Sequence, residues 1–237
     1  MQIFGHRGAS AYAPENTIPS FELAVEQGVD GVEFDVHLTS DGVPVVIHDE
    51  TADRTTSGTG AILDLTCAEL QAFDASNGMP GFEGVRVPTL AEVFEALAPS
   101  GIVANIELKN SVVFYEGLEE KVLEVVDACQ MADRVIVSSF NHLSLRHIQQ
   151  LRGRDFPLGV LYQDVLWEPW RYVKELGMPA IHPWIEMIDA GYVATCHEAG
   201  LLVRAWTVDG EWLPKAFAWG VDAVITNTPD VAVGLRG

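Results

Sequence analysis

Residues 101–140, GIVANIELKNSVVFYEGLEEKVLEVVDACQMADRVIVSSF, hold a β-branched run (GIVANIEL), an amphipathic helical stretch (YEGLEEKVLEVVDACQ) and a second β-branched run (RVIVSSF). Short apolar strands joined through a helix form a βαβ unit, and the crossover makes the two strands parallel. The pattern continues both ways along the chain. QIFGH and GVDGVEFDV precede it, and FPLGVLY, MPAIHP, LLVRAWTV and VDAVITN follow it as strands. Between them SFELAVEQG, LAEVFEALAP, HLSLRHIQQLRG, EPWRYVKELG, DAGYVATCHEAG and WLPKAFAWG read as helices, most stopping near a Gly or Pro. Eight such strands alternating with helices over 237 residues predict an α/β fold of the (β/α)8 TIM-barrel type. A doubly wound open sheet is the alternative.

Residues 43–88, from VPVVIHD through RTTSGTGAILDLTCAELQAFDASNGMPGFEGVRVP, break the rhythm. They hold an extra strand, turn-rich sequence and a short helix, and are expected to form a small inserted subdomain after strand 2, above the barrel mouth. No Pro/Ser/Gly-rich linker or charge block divides the remainder, so residues 1–237 are expected to be one domain.

Composition narrows the function classes. With 34 acidic against 14 Lys and Arg residues the net charge is −20, which disfavours nucleic acid and anionic membrane surfaces, because both are held by clustered cations. No apolar run approaches the roughly 20 residues of a membrane span, and the leading IF is too short for a signal segment. A cytoplasmic protein is expected. Cys67, Cys129 and Cys196 are far apart and odd in number, which fits free thiols rather than disulfides or a zinc site.

Chemistry in such a barrel belongs at the C-terminal ends of the strands. Strand one ends at His6 and Arg7, strand two carries Glu33 and Asp35, the added hairpin ends at His48 and Asp49, the next strand ends at Glu107 and Lys109, and Trp206 ends the seventh. Residues two apart on a strand face the same way, roughly 7 Å apart, so Glu33 with Asp35 and Glu107 with Lys109 face the barrel interior. Three carboxylates aimed at one volume repel one another unless a cation sits among them. An all-oxygen set with no cysteine and no His-x-His spacing favours one divalent cation, Mg2+ or Ca2+. His6 and His48 are suited to general acid–base work, and Arg7 offers a fork for phosphate oxygens beside the point charge of Lys109. Metal, two imidazoles and two cations around one mouth describe a site for a phosphate ester. Among the remaining histidines, His142, His147 and His197 fall in helical patterns, His37 shares the face of Glu33 and Asp35, and His182 ends the sixth strand, where it could line the mouth.

HRGASAYAPENT, GVEFDVHLTSDGVPVVIHD, NIELK, SSFN, AWTVD and ITNTPD resemble, in order and over nearly the full length, the signature blocks of the glycerophosphodiester phosphodiesterase family. The resemblance implies a TIM barrel with a small inserted subdomain that hydrolyses glycerophosphodiesters to sn-glycerol 3-phosphate and a free alcohol. It implies that Glu33, Asp35 and Glu107 bind the cation, that His6 and His48 are the acid–base pair, that Arg7 and Lys109 hold phosphate, and that Glu15 and Asn16 support the first loop. It also puts Trp206 and Phe140 beside the glycerol end of the substrate, although ordinary aromatic filling of the barrel top accounts for them equally. Asn227, where many relatives carry Asp, is the visible variation, and it is expected to leave the chemistry unaffected.

Two other readings come from different classes. A sphingomyelinase-D-like phospholipase would act on bilayer lipid, and the sequence shows no secretion signal, paired cysteines or exposed apolar anchor for it. A non-catalytic glycerophosphodiester-binding protein would not need both histidines and all three acids. The partner expected is a small-molecule substrate, without nucleic acid or stable membrane association. Head group, choice of cation, oligomeric state and the route through direct hydrolysis or a cyclic phosphate stay open.

Overall fold

A computed structural model describes residues 1–236. Eight parallel strands close a barrel: β1 (Gln2–His6), β2 (Gly31–Leu38), β4 (Val103–Leu108), β5 (Val135–Ser139), β6 (Leu158–Tyr162), β7 (Ala180–Pro183), β8 (Leu202–Trp206) and β9 (Ala223–Thr226). The short strand β3 (Pro44–Val46) pairs antiparallel with the outer end of β2, and β1 bonds to both β9 and β2, so no strand of the barrel proper is an edge. The structure is the (β/α)8 barrel that the strand–helix alternation predicts, and not the open sheet.

The helices α1 (Ile18–Glu26), α3 (Leu90–Leu97), α4 (Leu118–Ala128), α5 (His142–Arg152), α6 (Pro169–Leu176), α7 (Ala190–Glu198) and α8 (Trp212–Trp219) pack outside the strands. Their starts have local causes. Thr89 caps α3 through a reciprocal box with Glu92, Asn141 caps α5 and Asp189 caps α7. Helix α4 begins three residues later than its apolar pattern suggests, because Gly117 takes a left-handed conformation at φ 79° and ends the preceding loop. Helix α9 (Pro229–Arg236), started by the Pro after Thr228, is an element the sequence pattern leaves unread.

Two layers of core result. Outward-facing strand residues such as Val32, Phe34, Ile106 and Val137 pack under the helices, while Phe4, Ile136, Ala223 and Ile225 fill the barrel itself. Residues between β3 and α3, which include α2 (Cys67–Gln71), have a small core of their own around Val45, Ile47, Ile62, Leu70 and Val87. Cys67, Cys129 and Cys196 are free thiols.

His182 does not line the mouth. It is fully buried in the barrel interior, where Arg204 Nη1 donates to its Nε2 at 3.3 Å. Burial and the Arg204 charge hold its pKa well below the usual imidazole range. Trp184 and Trp206, stacked at 5.9 Å, take the next inward positions on the same two strands and close the space above it. Gly159 faces this ring, and a Cβ there would lie 2.2 Å from it.

Gly159→Ala should therefore destabilise the barrel by about 1–3 kcal/mol, the usual cost of overpacking a filled interior. Gly234→Ala on α9, where an added Cβ meets nothing within 4 Å, should leave stability unchanged or slightly raised. Thermal melts of both variants check the contrast, and equal Tm values would contradict it.

Candidate active site

The HRG turn is shaped by lack of room. Gly8 has φ 85°, and a Cβ on it would lie 2.3 Å from Ser20 Oγ, because the turn rests on the first residues of α1. Arg7 and Asn16 are also left-handed, at φ 56° and 58°. Non-glycine residues there cost on the order of 1–3 kcal/mol each and cluster at functional sites. Ser20 Oγ donates to Arg7 O at 2.9 Å and Asn16 N donates to the same carbonyl at 3.0 Å, which holds the turn closed. Its guanidinium thereby meets two acids: Nη1 donates to Glu15 Oε1 at 2.8 Å, and Nε lies 3.5 Å from Asp35 Oδ2.

The acids are brought together by strand register. Asp35 pairs with Glu107 and Glu33 with Asn105 across β2 and β4, so three inward carboxylates offer ligand atoms within 4.8 Å of one another. Burial and the neighbouring Asp35 and Glu107 charges raise the Glu33 pKa well above the carboxylate range, and burial with Asp35 raises that of Glu107. Burial pushes Asp35 the same way, but Lys109 and Arg7 outweigh it and hold that carboxyl far below its usual range. Lys109 Nζ donates to Glu107 Oε1 at 3.0 Å and stands 3.5 Å from Asp35 Oδ1. The cluster is thus only partly neutralised by its two cations, and its unpaired charge falls on Glu33 and Glu107. Hard oxygen donors of this kind suit Mg2+ or Ca2+, and the buried, unpartnered Asn105 Oδ1 beside Glu33 adds another oxygen to the wall.

Each histidine has a defined tautomer, which follows from partners that only accept. His6 Nδ1 donates to Asn227 Oδ1 at 2.7 Å, and that amide is turned because its own Nδ2 donates to Asp209 Oδ2. His48 Nδ1 donates to Asp49 Oδ1 at 2.6 Å. Both Nε2 lone pairs are left toward the cavity: that of His6 lies 3.9 Å from Glu33 Oε2, and that of His48 faces Lys109 Nζ at 3.3 Å. Burial and the Arg7 charge lower the His6 pKa to about 4. Asn227, the variation that the sequence is expected to tolerate, is thus in direct contact with His6. It is the group that fixes the His6 ring, fed by Asp209 from the loop after β8.

A second chain of contacts runs through a residue that sequence reasoning passed over. Arg54 donates from Nε and Nη2 to both oxygens of Asp49 at 2.7 and 2.9 Å, and from Nη1 and Nη2 to both oxygens of Glu15 at 2.8 Å. One guanidinium thus joins the His48 partner to the Arg7 partner. The signal for it, an Arg five residues after HD, has meaning only when the loop is folded. His37 is buried behind this layer, with Nε2 donating to His48 O at 3.0 Å and Nδ1 against Tyr115 Oη at 2.8 Å.

One cavity of about 280 Å3 is lined by His6, Arg7, Glu33, His48, Glu107, Lys109, Phe140 and Trp206, eight of the nine residues the sequence singles out. Asp35, level with Glu107 in the strand register, is 1% exposed and does not reach the cavity surface. Phe140 and Trp206 meet edge to face at 6.0 Å in the same cavity, which Leu161, Gln163 and Ser138 also line, Ser138 being the register partner of Glu107. His142, His147 and His197 are on the outer helices, away from this cavity. Among the described residues no helix is long and apolar enough to cross a membrane. Trp167 and Phe114, in the loops after β6 and β4, are 90% and 74% exposed.

A closed (β/α)8 barrel whose mouth joins an acid cluster, two oriented imidazoles and two cations defines a phosphoric ester hydrolase, and relatives agree. Residues 6–231 match the Glycerophosphoryl diester phosphodiesterase family. A glycerophosphodiester phosphodiesterase of Caldanaerobacter subterraneus is 41% identical, covering 98% of this chain and 96% of that protein, and one of Bacillus altitudinis is 41% identical over 99% and 98%. A phosphodiesterase of Oleispira antarctica, solved in complex with the product sn-glycerol-3-phosphate, superposes with a TM-score of 0.88 at 30% identity, covering 100% of this chain and 96% of that one. The chain belongs to the glycerophosphoryl diester phosphodiesterase family and is an enzyme.

The raised Glu33 and Glu107 values carry a sign. Their contribution to stability is fully present below the ordinary carboxylate range and is lost as pH rises through their elevated folded values. The cation-free fold should lose this part of its stability as pH rises above the ordinary carboxylate range. Mg2+ or Ca2+ should restore it, by about 2.7 kcal/mol at a hundredfold excess over Kd. Glu33→Gln should raise the neutral-pH Tm of the stripped protein and shrink the cation-induced shift. An undiminished shift in that variant would remove Glu33 from the ligand set.

Proposed function

We propose that this enzyme hydrolyses glycerophosphodiesters to sn-glycerol 3-phosphate and a free alcohol, with one divalent cation at Glu33, Asp35 and Glu107. The observation that carries the reading is the pair of imidazoles, each oriented through Nδ1 and presenting Nε2 to one cavity that also holds the acids, Arg7 and Lys109. The product-bound relative from Oleispira antarctica supports glycerol 3-phosphate as the retained half.

A cation held by the three carboxylates would supply Lewis-acid charge to the phosphoryl oxygens. Arg7 and Lys109 bind the remaining phosphate charge, and their exchange of carboxylate for phosphate partners keeps every charge paired. His6 is kept neutral by burial and by Arg7, so its Nε2 accepts a proton from the attacking hydroxyl. His48, held through Nδ1 by the Asp49 carboxylate, enters the step protonated at Nε2 as well, with that N–H turned from Lys109 toward the leaving oxygen, and delivers this proton to the departing alcohol. Phe140 and Trp206 form a flat wall for the glycerol carbons, and the unpartnered Ser138 Oγ and Asn105 Oδ1 are placed for its hydroxyls. The insertion at 43–88 belongs, in this reading, to the same domain as the barrel, because His48 and Asp49 come from it.

Release of choline and glycerol 3-phosphate from glycerophosphocholine, lost on chelation and regained with Mg2+ or Ca2+, tests the assignment. Full turnover after confirmed cation removal would end the metal reading. His6→Ala and His48→Ala should each lower kcat by roughly a hundredfold or more, with KM changed far less. A nitrophenyl ester, whose leaving group departs without a proton, should restore rate to His48→Ala and not to His6→Ala. The reverse pattern would exchange the two roles.

Arg54 gives a separate expectation. Arg54→Ala should lower kcat by about tenfold or more through loss of alignment, and Arg54→Lys, which keeps charge but not the double fork, should recover only part of it. Unchanged kcat in a folded Arg54→Ala protein would reduce the residue to a structural tie.

A further inference from the structure

Among the buried polar groups that the reaction scheme leaves unassigned, one set is joined end to end and stops at His48. His37 and Tyr115 are 0% and 3% exposed, and their rings meet edge to face at 5.5 Å. His37 Nε2 donates to His48 O at 3.0 Å, and among the described residues no other donor reaches that carbonyl. A carbonyl only accepts, so the proton sits on Nε2. Nδ1 keeps its lone pair, which takes the Tyr115 Oη proton at 2.8 Å. Neither nitrogen bonds to a carboxylate among the described residues.

Tyr115 is fixed from behind. Its backbone N–H donates to Asn110 Oδ1 at 2.7 Å. Asn110 is tied in turn: Nδ2 donates to Glu119 Oε1 at 3.0 Å and to Ser144 Oγ at 3.1 Å, and its carbonyl accepts from Asn141 Nδ2 at 2.7 Å. Asn110 follows Lys109, whose Nζ faces His48 Nε2 at 3.3 Å. The segment from Lys109 to Tyr115 therefore meets His48 twice, at the ring directly and at the backbone through His37. His48 needs this second hold, because it lies past the end of β3, on the segment with its own small core, and not on a barrel strand. Asp49 and Arg54 set the direction of its ring, but both move with that segment. His37 is on β2 and Tyr115 on the loop after β4, so their chain fastens the His48 backbone to the barrel itself. An imidazole bonded at one nitrogen can still swing about its Cβ–Cγ bond. Bonded at both, it cannot.

We propose that Tyr115 is a positioning residue for the reaction: its hydroxyl locks the His37 ring, that ring holds the His48 carbonyl, and the His48 Nε2–H is thereby kept in line with the departing alcohol. The proposal rests on the acid role given to His48 above. Neither Tyr115 nor His37 lines the cavity, so both act through His48 and not on substrate. The leverage is large, because a misplacement of about 1 Å in a reacting group can cost about a hundredfold in rate.

The test is Tyr115→Phe, which removes one oxygen from a buried ring. It should lower kcat on glycerophosphocholine by about tenfold, with KM changed far less. On the nitrophenyl ester, whose leaving group needs no proton, the same variant should stay within about twofold of wild type. His37→Leu, which offers the carbonyl no donor, should lose at least as much on glycerophosphocholine, and His37→Gln, which returns an N–H, should recover part of the loss. Because the two side chains act in one chain, Tyr115→Phe added to His37→Leu should cost little more. Ring-nitrogen resonances of labelled histidine give a readout apart from turnover: His37 should carry its proton on Nε2, and the His48 ring signals should move in Tyr115→Phe. Unchanged kcat in a folded Tyr115→Phe protein, additive losses in the double variant, or a His37 proton on Nδ1 alone would each overturn the proposal. So would equal loss on the two esters where the nitrophenyl ester rescues His48→Ala. Where it does not rescue that variant, the acid role of His48 falls instead, and the double variant decides whether Tyr115 and His37 act together. Failure of wild type to cleave glycerophosphocholine would strike the phosphodiesterase reading, and His48 signals unmoved by Tyr115→Phe would then overturn the positioning role on their own.

Discussion

Everything at the mouth of this barrel answers to the repulsion among Glu33, Asp35 and Glu107. Strand register puts the three carboxylates within 4.8 Å of one another in a buried space. Water cannot screen them there, so the surrounding residues must. Lys109 and Arg7 draw Asp35 down, while Glu33 and Glu107 are pushed toward their protonated forms. The left-handed turn at Arg7, the Glu15 contact that steadies it and the reach of Lys109 along β4 are the means by which positive charge is brought to that point. A cluster so unbalanced is primed for a small dication, and the same two cations then become available to a phosphate.

The two imidazoles share an orientation and differ in what holds it. One leans on a neutral amide whose direction is set by Asp209, and the other on a carboxylate clamped by Arg54. In the proposed reaction one ring would take a proton and the other give one, and their unlike partners distinguish the two positions.

The barrel was legible in the chain because each strand is a short β-branched run and each helix has its own stop. The terminal helix α9 was not, since PDVAVGLR is too short and mixed to announce itself before it packs. At the site, acids in otherwise apolar strands were legible, because GVEFDV and NIEL make no sense as solvated faces. Residues that act on other residues were not. Asn227 and Arg54 reach His6 and the His48 partner across 221 residues and through a folded loop respectively, and no local spacing encodes either contact. His182 misled for the converse reason: a strand-end position suggests the mouth, and only the stacked Trp184 and Trp206 rings show that another layer lies above it.

The small core around Val45, Ile62 and Leu70 is distinct from the barrel's own, yet Arg54, His48 and Asp49 all belong to the segment it supports. A unit of this size opens more readily than a closed barrel, because few apolar contacts oppose its local unfolding. Two thresholds of cooperativity are the expected consequence: on rising temperature or denaturant, release of the segment that carries one imidazole and joins it to the first loop should precede loss of the eight-stranded scaffold.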